Sequence, residues 1–225
     1  MKIPNLPISF VDSPARRAGS ALRDDTTCHA SRPHRSPGTR SVREVQIKGV
    51  INKGIQELVE QRFGADVWQR VKAAAGCDEP FFATSEDYPD ESTVALVRAI
   101  AGVTEIPAET VQVEFGRFWV PHTGRAAYPS FYGLAGHTPR EFLRNLDRIH
   151  RQVTRSLRNA VPPRFVCEET DADAMRIHYY SQRGLCRVLE GLILGVGDLF
   201  DQELRVREIG CVHQGDDHCT MEVEF

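Results

Sequence analysis

The sequence lacks any apolar run long enough to cross a membrane, for which a helix needs about 18 to 20 residues almost free of charge. Its most apolar segment, residues 185–200, is interrupted by Arg187, Glu190 and Asp198. The first residues also lack the apolar core and small-residue cleavage site of an export signal. We therefore expect a soluble protein of the cytoplasm, without a membrane partner.

An excess of positive charge is absent too, because 28 Lys and Arg stand against 31 Asp and Glu and give a net charge of -3. Without such an excess the chain has no general attraction for a phosphate backbone, so nucleic acid is not an expected partner. Six cysteines among 225 residues are too few for the disulfide framework of a small secreted protein. Three of them fall within the last 40 residues, which in a reducing compartment is more typical of a metal site.

Residues 1–46 offer little from which a core could form. They contain five of the 13 prolines, six serines and one aromatic residue, Phe10, and their basic residues outnumber the acidic ones by eight to four. Because such a segment cannot offset the entropy lost on ordering, we predict a flexible basic tail. Residues 47–225 then form the folded domain.

Within that domain the pattern changes from helical to extended near residue 161. Apolar residues recur at helical spacing in residues 47–160, which predicts a mainly helical part. Beyond Pro162 and Pro163, strands are predicted at residues 164–168, 175–181, 203–209 and 219–225, with one helix at 185–200. Short polar turns imply antiparallel pairing. We predict an α+β fold, with an amino-terminal helical layer followed by an antiparallel four-stranded sheet that carries one helix.

A histidine interrupts the apolar face of one predicted helix. Residues 138–141, Thr-Pro-Arg-Glu, form a helix start with Thr as the N-cap and Pro in the first position, which fixes the register. In that register His150 completes an apolar stripe formed by Phe142, Leu146, Val153 and Leu157. An imidazole placed in this way either bonds to a carbonyl inside the core or ligates an iron or zinc ion. A phosphotransfer role is disfavoured because it needs a solvent-exposed ring.

Three hydrogen-bond donors alternate along one predicted strand. Tyr179, Ser181 and Arg183 face the same way if this segment is extended. Two hydroxyls and a guanidinium suit one or two carboxylates. Strands often carry such residues on a solvent-exposed face, so the row is informative only beside the inward histidine. Haem has both an iron that binds imidazole and two propionates that accept such donors.

Five ordered motifs together resemble the haem nitric oxide/oxygen-binding (H-NOX) domain family, which is related to the sensor part of soluble guanylate cyclase. They are Phe63-Gly64 with Trp68, Phe115-Gly116-Arg117-Phe118, Phe142-Leu143-x-Asn145-Leu146-Asp147-x-x-His150, Pro162-Pro163 and Tyr179-x-Ser181-x-Arg183. The resemblance begins at Ile47-Lys48-Gly49-Val50 and runs to Phe225. It implies a haem b bound between the helical layer and the sheet.

The resemblance also assigns roles to five residues. By this resemblance His150 is the proximal iron ligand, Pro163 presses on the macrocycle and distorts it, and the propionates are bound by Tyr179, Ser181 and Arg183.

The position that matches the family's distal tyrosine is Val188. Members of the family that bind oxygen use that tyrosine to donate a hydrogen bond to it, and valine has no donor. Nitric oxide binds ferrous haem strongly without such help. We therefore predict a nitric oxide sensor that excludes oxygen, unless another tyrosine, such as Tyr132, reaches the site.

The last cysteines form a second candidate site. If the chain turns symmetrically about Gly215, Cys211 and Cys219 lie opposite each other, and Cys186 at the start of the predicted helix could join them. Three thiolates could bind one zinc ion. Opposed cysteines could instead form a disulfide or stay buried as thiols.

The resemblance favours zinc, because some H-NOX proteins bind a zinc ion through three cysteines and a histidine at matching positions. This sequence departs from that pattern, since Glu208 stands where the histidine is expected, three residues before Cys211. The fourth ligand is therefore open between Glu208, His218 and His213. In those relatives the thiolates also respond to oxidation, which implies a second, redox input.

We expect a non-catalytic, haem-based sensor that binds nitric oxide at ferrous iron. Because we find no output domain in the sequence, the signal is expected to pass to a separate protein, and the resemblance suggests a histidine kinase or a cyclic-di-nucleotide enzyme. The main alternative is a haem-free zinc-thiolate redox switch in which His150 only packs. A zinc hydrolase is disfavoured because three cysteine ligands on a short hairpin leave no open coordination position.

Overall fold

The computed structural model describes residues 46–155 and 161–225. The predicted tail therefore lies outside the described residues except for Gln46, and so does Leu157 of the apolar stripe. Within the described ranges, no helix combines the length and the apolar character needed to cross a membrane.

Helices form most of the amino-terminal part. They are α1 Gly49–Phe63, α2 Ala65–Ala75, α3 Asp90–Thr104, α4 Ala108–Trp119, the short helices α5 Arg125–Ala127 and α6 Pro129–Ala135, and α7 Pro139–Thr154, with a π-helical turn Val120–Gly124 between α4 and α5. The start of α7 has the predicted cap, because the Thr138 hydroxyl accepts a hydrogen bond from the backbone N–H of Glu141 at 3.2 Å. The Glu141 carboxylate in turn accepts one from the N–H of His137 at 2.7 Å. This cap sets the helix register on which the position of His150 depends.

A small antiparallel strand pair brings together the residues that precede α1 and the residues that precede α3. It consists of β1 Gln46–Lys48 and β2 Asp87–Pro89. The prediction has residues 47–160 mainly helical, with no strand before residue 164, so this strand pair differs from the prediction. Strands of three residues are too short to show an alternating pattern, and their pairing is a long-range contact.

The carboxyl-terminal part contains the predicted four-stranded sheet. Its strands are β3 Arg164–Asp171, β4 Ala174–Tyr180, β5 Arg205–Gly210 and β6 Cys219–Glu224, and α8 Cys186–Leu199 connects β4 to β5. The order is β3-β4-β6-β5, and all neighbouring strands are antiparallel. The α+β prediction is confirmed.

Two hydrophobic cores lie on either side of a cavity. One is formed within α1 to α4 and includes Val59, Trp68 and Leu96. The other is formed by α7, α8 and the inner face of the sheet, and it includes Ile193 and Met221. Residues from both cores line the cavity.

Glycines bring the backbones of α4 and α8 into direct contact. A Cβ atom added at Gly191 would lie 2.0 Å from the carbonyl oxygen of Val113, and one at Gly116 would lie 2.2 Å from that of Val188. The Arg117 guanidinium also binds Asp198 through two hydrogen bonds of 2.6 and 2.7 Å across the same helix pair. The pair therefore links the helical core to the core beneath the sheet.

We expect Gly191→Ala to destabilise the fold, because the added methyl group must push α4 and α8 apart. Overpacking of this kind lowers the free energy of unfolding by about 1–3 kcal/mol, which urea denaturation measures. Gly102→Ala in α3 is the matched control, since nothing lies within 4 Å of its added Cβ and Ala stabilises a helix over Gly by about 1 kcal/mol. An unchanged free energy of unfolding in Gly191→Ala would contradict this account of the helix contact.

Candidate functional site

The cavity between the two cores is large and mostly apolar. Its empty volume is about 1600 Å³, with the opening to solvent included. Typical wall residues are Ile51 of α1, Phe115 of α4, Leu146 of α7 and Leu192 of α8. Such a cavity suits a large apolar ligand that is oriented by a few polar contacts.

The structure brings the predicted haem-site residues together around this one cavity. The lining includes His150, Pro163, Tyr179, Ser181, Arg183 and Val188. They come from α7, the chain before β3, the end of β4 with the turn that follows, and α8. Their contacts with a ligand remain predictions, whereas the fold itself brings these residues to one cavity.

His150 directs one ring nitrogen to its own helix, and the other has no hydrogen-bond partner among the described residues. Its Nδ1 lies 3.0 Å from the carbonyl oxygen of Leu146. A carbonyl can only accept, so Nδ1 carries the proton and Nε2 keeps its lone pair. The ring packs against Phe165 with centroids 5.0 Å apart, and burial lowers the pKa of His150, which keeps the imidazole neutral. Metal-bound histidines are commonly oriented in this way, so the carbonyl-bonded and metal-ligating interpretations are compatible.

The three predicted donors belong to the polar part of the cavity lining. Tyr179 is buried, and its hydroxyl is within hydrogen-bonding reach of the Ser181 side chain and the backbone of Leu185. Burial raises the pKa of Tyr179, so the hydroxyl stays protonated and able to donate. The Ser181 hydroxyl accepts a hydrogen bond from the backbone N–H of Arg183 at 3.2 Å.

Arg183 is held from the helical side of the cavity. Its Nε donates to Asp90 Oδ2 at 2.6 Å, and its Nη2 donates to the carbonyl oxygen of Gln46 at 2.8 Å. Asp90 lies in the first turn of α3, 93 residues away in the sequence. Sequence reasoning missed both partners, because no local pattern connects them to Arg183.

The α8 wall of the cavity contains no hydrogen-bond donor among its side chains. The α8 residues in the lining are Val188, Leu189, Leu192 and Val196, which are all apolar. Tyr132 of α6 also lines the cavity, with its ring edge-on to Phe142 at a centroid distance of 5.3 Å. Its hydroxyl lies against Gly124 in the π-helical turn, where a Cβ would be 2.5 Å from it.

A second group of side chains lies at the start of α8. Ligand atoms of Cys186, Glu208, Cys211 and Cys219 are all within 4.8 Å of one another. The sulfur of Cys211 lies 3.5 Å from that of Cys186 and 3.9 Å from that of Cys219. These distances exclude disulfides, whose sulfur atoms are about 2.05 Å apart, and the cysteines are free thiols.

A buried carboxylate oxygen without a hydrogen-bond partner among the described residues favours a cation at this group. Burial, with the neighbouring thiols adding to it, raises the pKa of Cys186, and burial also raises the pKa of Cys211. Glu208 Oε2 accepts a hydrogen bond from Arg187 at 3.0 Å, while its Oε1 is buried and has no hydrogen-bond partner among the described residues. A bound metal ion would satisfy this oxygen and stabilise the thiolates.

The two histidines considered as fourth ligands lie elsewhere. His213 is exposed, and its Nε2 lies 2.8 Å from the carbonyl oxygen of Gly184. The Nε2 of His218 lies 3.0 Å from Nδ1 of His178, on the other face of the sheet from Cys219. Along β4 His178 alternates with the buried Ile177 and Tyr179 and so faces outward. His218, which contacts it, therefore lies outside the sheet, whereas Cys219 is buried. The structure places Glu208 with the thiols.

Comparison with known proteins identifies the family. A family model described as haem-NO-binding matches residues 48–208, which is well over half of the chain. The chain belongs to the haem-NO-binding family. It is therefore an H-NOX domain, as its motifs predicted, and the zinc-containing subtype is a separate question.

This H-NOX domain resembles part of larger proteins. Soluble guanylate cyclase gcy-33 of Caenorhabditis elegans is 25% identical over 155 residues, which are 68% of this chain and 16% of that protein. Soluble guanylate cyclase gcy-31 of the same organism is 23% identical over 180 residues, 79% of this chain and 26% of that protein. The chain thus spans about a quarter or less of the length of these relatives.

A solved structure has the same fold. An H-NOX protein from S. oneidensis in the Fe(II) state superimposes with a TM-score of 0.73 at 20% identity, covering 79% of this chain and 95% of that one. At this level of identity the likeness shows the fold alone.

The cavity of this H-NOX domain fits the haem that the family binds. Its apolar walls suit a porphyrin, the free Nε2 of His150 suits an iron ligand, and Tyr179, Ser181 and Arg183 offer donors for propionates. The cavity lining thus contains an imidazole of the kind that binds haem iron and hydrogen-bond donors of the kind that bind propionates.

Proposed function

We propose that this H-NOX domain is a haem-based sensor that binds nitric oxide, excludes oxygen and is itself non-catalytic. The observation that carries the proposal is the arrangement of the cavity, which is lined both by His150, whose Nε2 keeps its lone pair, and by α8 side chains that have no hydrogen-bond donor. The haem-free alternative leaves this large apolar cavity without an occupant.

Haem would supply a ferrous iron that binds a diatomic gas. His150 would hold that iron through Nε2, because its Nδ1 is committed to the carbonyl of Leu146. Tyr179, Ser181 and Arg183 would orient the propionates, and Pro163 in the cavity wall would pack against the macrocycle. The apolar side chains that α1, α4 and α8 contribute to the cavity would keep water away from a bound gas.

The signal would leave the cavity through α7 and the sheet. Arg140 and Arg144 of α7 both form ion pairs with Glu169 of β3, and the Asp147 carboxylate accepts a hydrogen bond from the N–H of Phe165 at 3.0 Å. Because α7 also carries His150, a change in the position of the imidazole displaces contacts on β3. We propose that this shift is read by a separate partner in the cytoplasm, a histidine kinase or a cyclic-di-nucleotide enzyme, as the family resemblance suggests.

We also propose that Cys186, Cys211, Cys219 and Glu208 bind zinc. Four ligands at zinc–sulfur distances of about 2.3 Å place sulfur atoms about 3.8 Å apart in a tetrahedron, close to the 3.5 and 3.9 Å found here. A peroxide that joins two of the thiolates in a disulfide, and is itself reduced to water, would release the ion. The zinc site would thus provide a redox input at the start of α8, the helix that carries Val188.

Spectra of the haem-loaded ferrous protein test the gas selectivity. We expect binding of nitric oxide and no stable oxygen complex in air, and we expect Val188→Tyr to raise oxygen affinity about tenfold, which corresponds to about 1.4 kcal/mol for one added hydrogen bond. Val188→Phe is the matched control, because it adds the same ring without the hydroxyl. Stable oxygen binding by the unmodified protein, or equal oxygen affinity of the Tyr and Phe variants, would refute the proposed selectivity.

A further inference from the structure

Two histidines meet on the outer face of the four-stranded sheet, where neither the haem cavity nor the thiol group uses them. His178 is in β4 and is followed by the inward-facing Tyr179, while His218 immediately precedes the inward-facing Cys219 at the start of β6. Both side chains are partly buried and remain accessible from solvent. The described chain therefore has a pair of imidazoles on the opposite side of the sheet from the zinc ligands.

The two rings are joined through their nitrogens. His178 Nδ1 lies 3.0 Å from His218 Nε2, with the ring planes inclined by 59°. The ring of Tyr180 stacks on His218 with centroids 4.6 Å apart, and the Thr220 hydroxyl lies 3.3 Å from His178 Nδ1. Because these contacts come from β4 and β6, both rings are held by the sheet itself.

A carboxylate fixes the tautomer of His178. Glu168 Oε2 of β3 lies 3.4 Å from His178 Nε2. A carboxylate accepts, so Nε2 donates and the lone pair of the neutral ring is at Nδ1, the atom that faces His218. A carboxylate on the remote nitrogen is the usual outer-shell partner of a metal-bound histidine.

The spacing of the two nitrogens also suits a shared metal ion. Two nitrogens that are each about 2.0–2.1 Å from a metal are about 2.9 Å apart at a right angle and about 3.3 Å apart in a tetrahedron. The observed 3.0 Å lies between these values. A hydrogen bond between the rings gives a similar distance, so only the binding of metal separates the two arrangements.

We propose that His178 and His218 chelate a divalent transition-metal ion such as Ni²⁺, Cu²⁺ or Zn²⁺, with solvent completing the coordination and Glu168 orienting His178. Imidazole ligands with open positions select these ions over Mg²⁺ and Ca²⁺. The bound ion would cross-link β4 to the residue that precedes Cys219. It would thereby restrict the motion of residues 211–219, which include Cys211 and Cys219 of the thiol group. This site is independent of haem and does not depend on the thiol group binding zinc.

Titration calorimetry of the full chain with Ni²⁺ tests the proposal, using the haem-loaded protein as purified. We expect the unmodified protein to bind one more Ni²⁺ per chain than His178→Gln or His218→Gln, and we expect Glu168→Gln to weaken that binding event several-fold. His213→Gln is the matched control, because this exposed histidine lies in the same hairpin and should leave the stoichiometry unchanged. Comparing stoichiometries removes the contribution of His29 and His34 in the amino-terminal segment, which all these proteins share.

Thermal unfolding provides the second measurement. Ni²⁺ should raise the unfolding temperature of the unmodified protein and of His213→Gln, and it should raise it less in the His178 and His218 variants, whose metal-free unfolding temperatures show whether they are folded. Equal Ni²⁺ stoichiometry in folded His218→Gln and the unmodified protein would overturn the proposal. So would an unchanged Ni²⁺ stoichiometry in folded His178→Gln.

Discussion

The variant His150→Ala should lose haem during purification, and its intense absorption band near 400 nm should fall to the background of a haem-free preparation. The expectation follows from the geometry, because His150 lines the cavity and its Nε2 keeps a lone pair while Nδ1 is bonded to the carbonyl of Leu146. Free imidazole added during reconstitution should restore part of the band, since truncation to alanine leaves room for the ligand. Absorbance per chain, measured with and without imidazole, checks both results.

His122→Ala is a matched control for this loss. His122 also belongs to a helical segment and also has its Nδ1 near the carbonyl four residues earlier, 3.1 Å from that of Phe118, but it does not line the cavity. If haem were lost only because removing a histidine with this hydrogen bond disturbs its helix, both variants would lose haem. Retention of haem by His150→Ala without imidazole, or an equal loss in His122→Ala, would rule out His150 as the iron ligand.

Local rules were sufficient for much of the fold. The Thr-Pro-x-Glu start fixes the register of α7, and the observed cap between Thr138 and Glu141 shows why the apolar stripe could be assigned to one face. The prediction that Tyr179, Ser181 and Arg183 lie along one strand is wrong beyond Tyr180, where β4 ends, and Arg183 lies in the turn that follows. The cap rests on a spacing of a few residues, where backbone geometry leaves little freedom, whereas Arg183 is held by contacts with the distant Asp90 and Gln46.

Contacts between distant segments could not be found in this way. The ion pair of Arg183 with Asp90 and the β1–β2 pair depend on how the helical part closes over the sheet. A large cavity between two cores is likewise a result of packing, and the spacing of apolar residues within α4 or α8 does not predict it. The prediction of a ligand between the helical layer and the sheet came from the family resemblance and not from the spacing of apolar residues.

The choice among Glu208, His218 and His213 could not have been made from the sequence. His218 lies outside both the predicted strand 219–225 and β6, so strand alternation does not place it. Its contact with His178, in a different strand, is what separates it from the thiols. Glu208 and Cys211 are brought together at the end of β5, where the register with β6 shifts between Glu208 and Gly210. An irregularity of this kind has no signature in the spacing of the residues.

The variant Cys219→Ser should lose its zinc and much of its resistance to unfolding. Cys219 is fully buried, and its sulfur lies 3.9 Å from that of Cys211 in the group that also contains Cys186 and Glu208. Removing one of four ligands should reduce the zinc content from near one per chain to near zero, as elemental analysis would show. Zinc at a thousandfold excess over its dissociation constant stabilises a folded protein by about 4 kcal/mol, so chelator and mutation should each lower the unfolding free energy by a comparable amount.

Cys167→Ser separates loss of a zinc ligand from loss of any thiol. The sulfur of Cys167 donates to the carbonyl of Leu143 at 3.5 Å, a bond that a hydroxyl can replace, and it lies outside the thiol group. This variant should keep its zinc and should respond to chelator as the unmodified protein does. Glu208→Gln should bind zinc more weakly while keeping the hydrogen bond from Arg187, since the amide oxygen is neutral but still accepts. Full zinc occupancy in Cys219→Ser, or purified unmodified protein that takes up no zinc, would show that the buried thiols only pack.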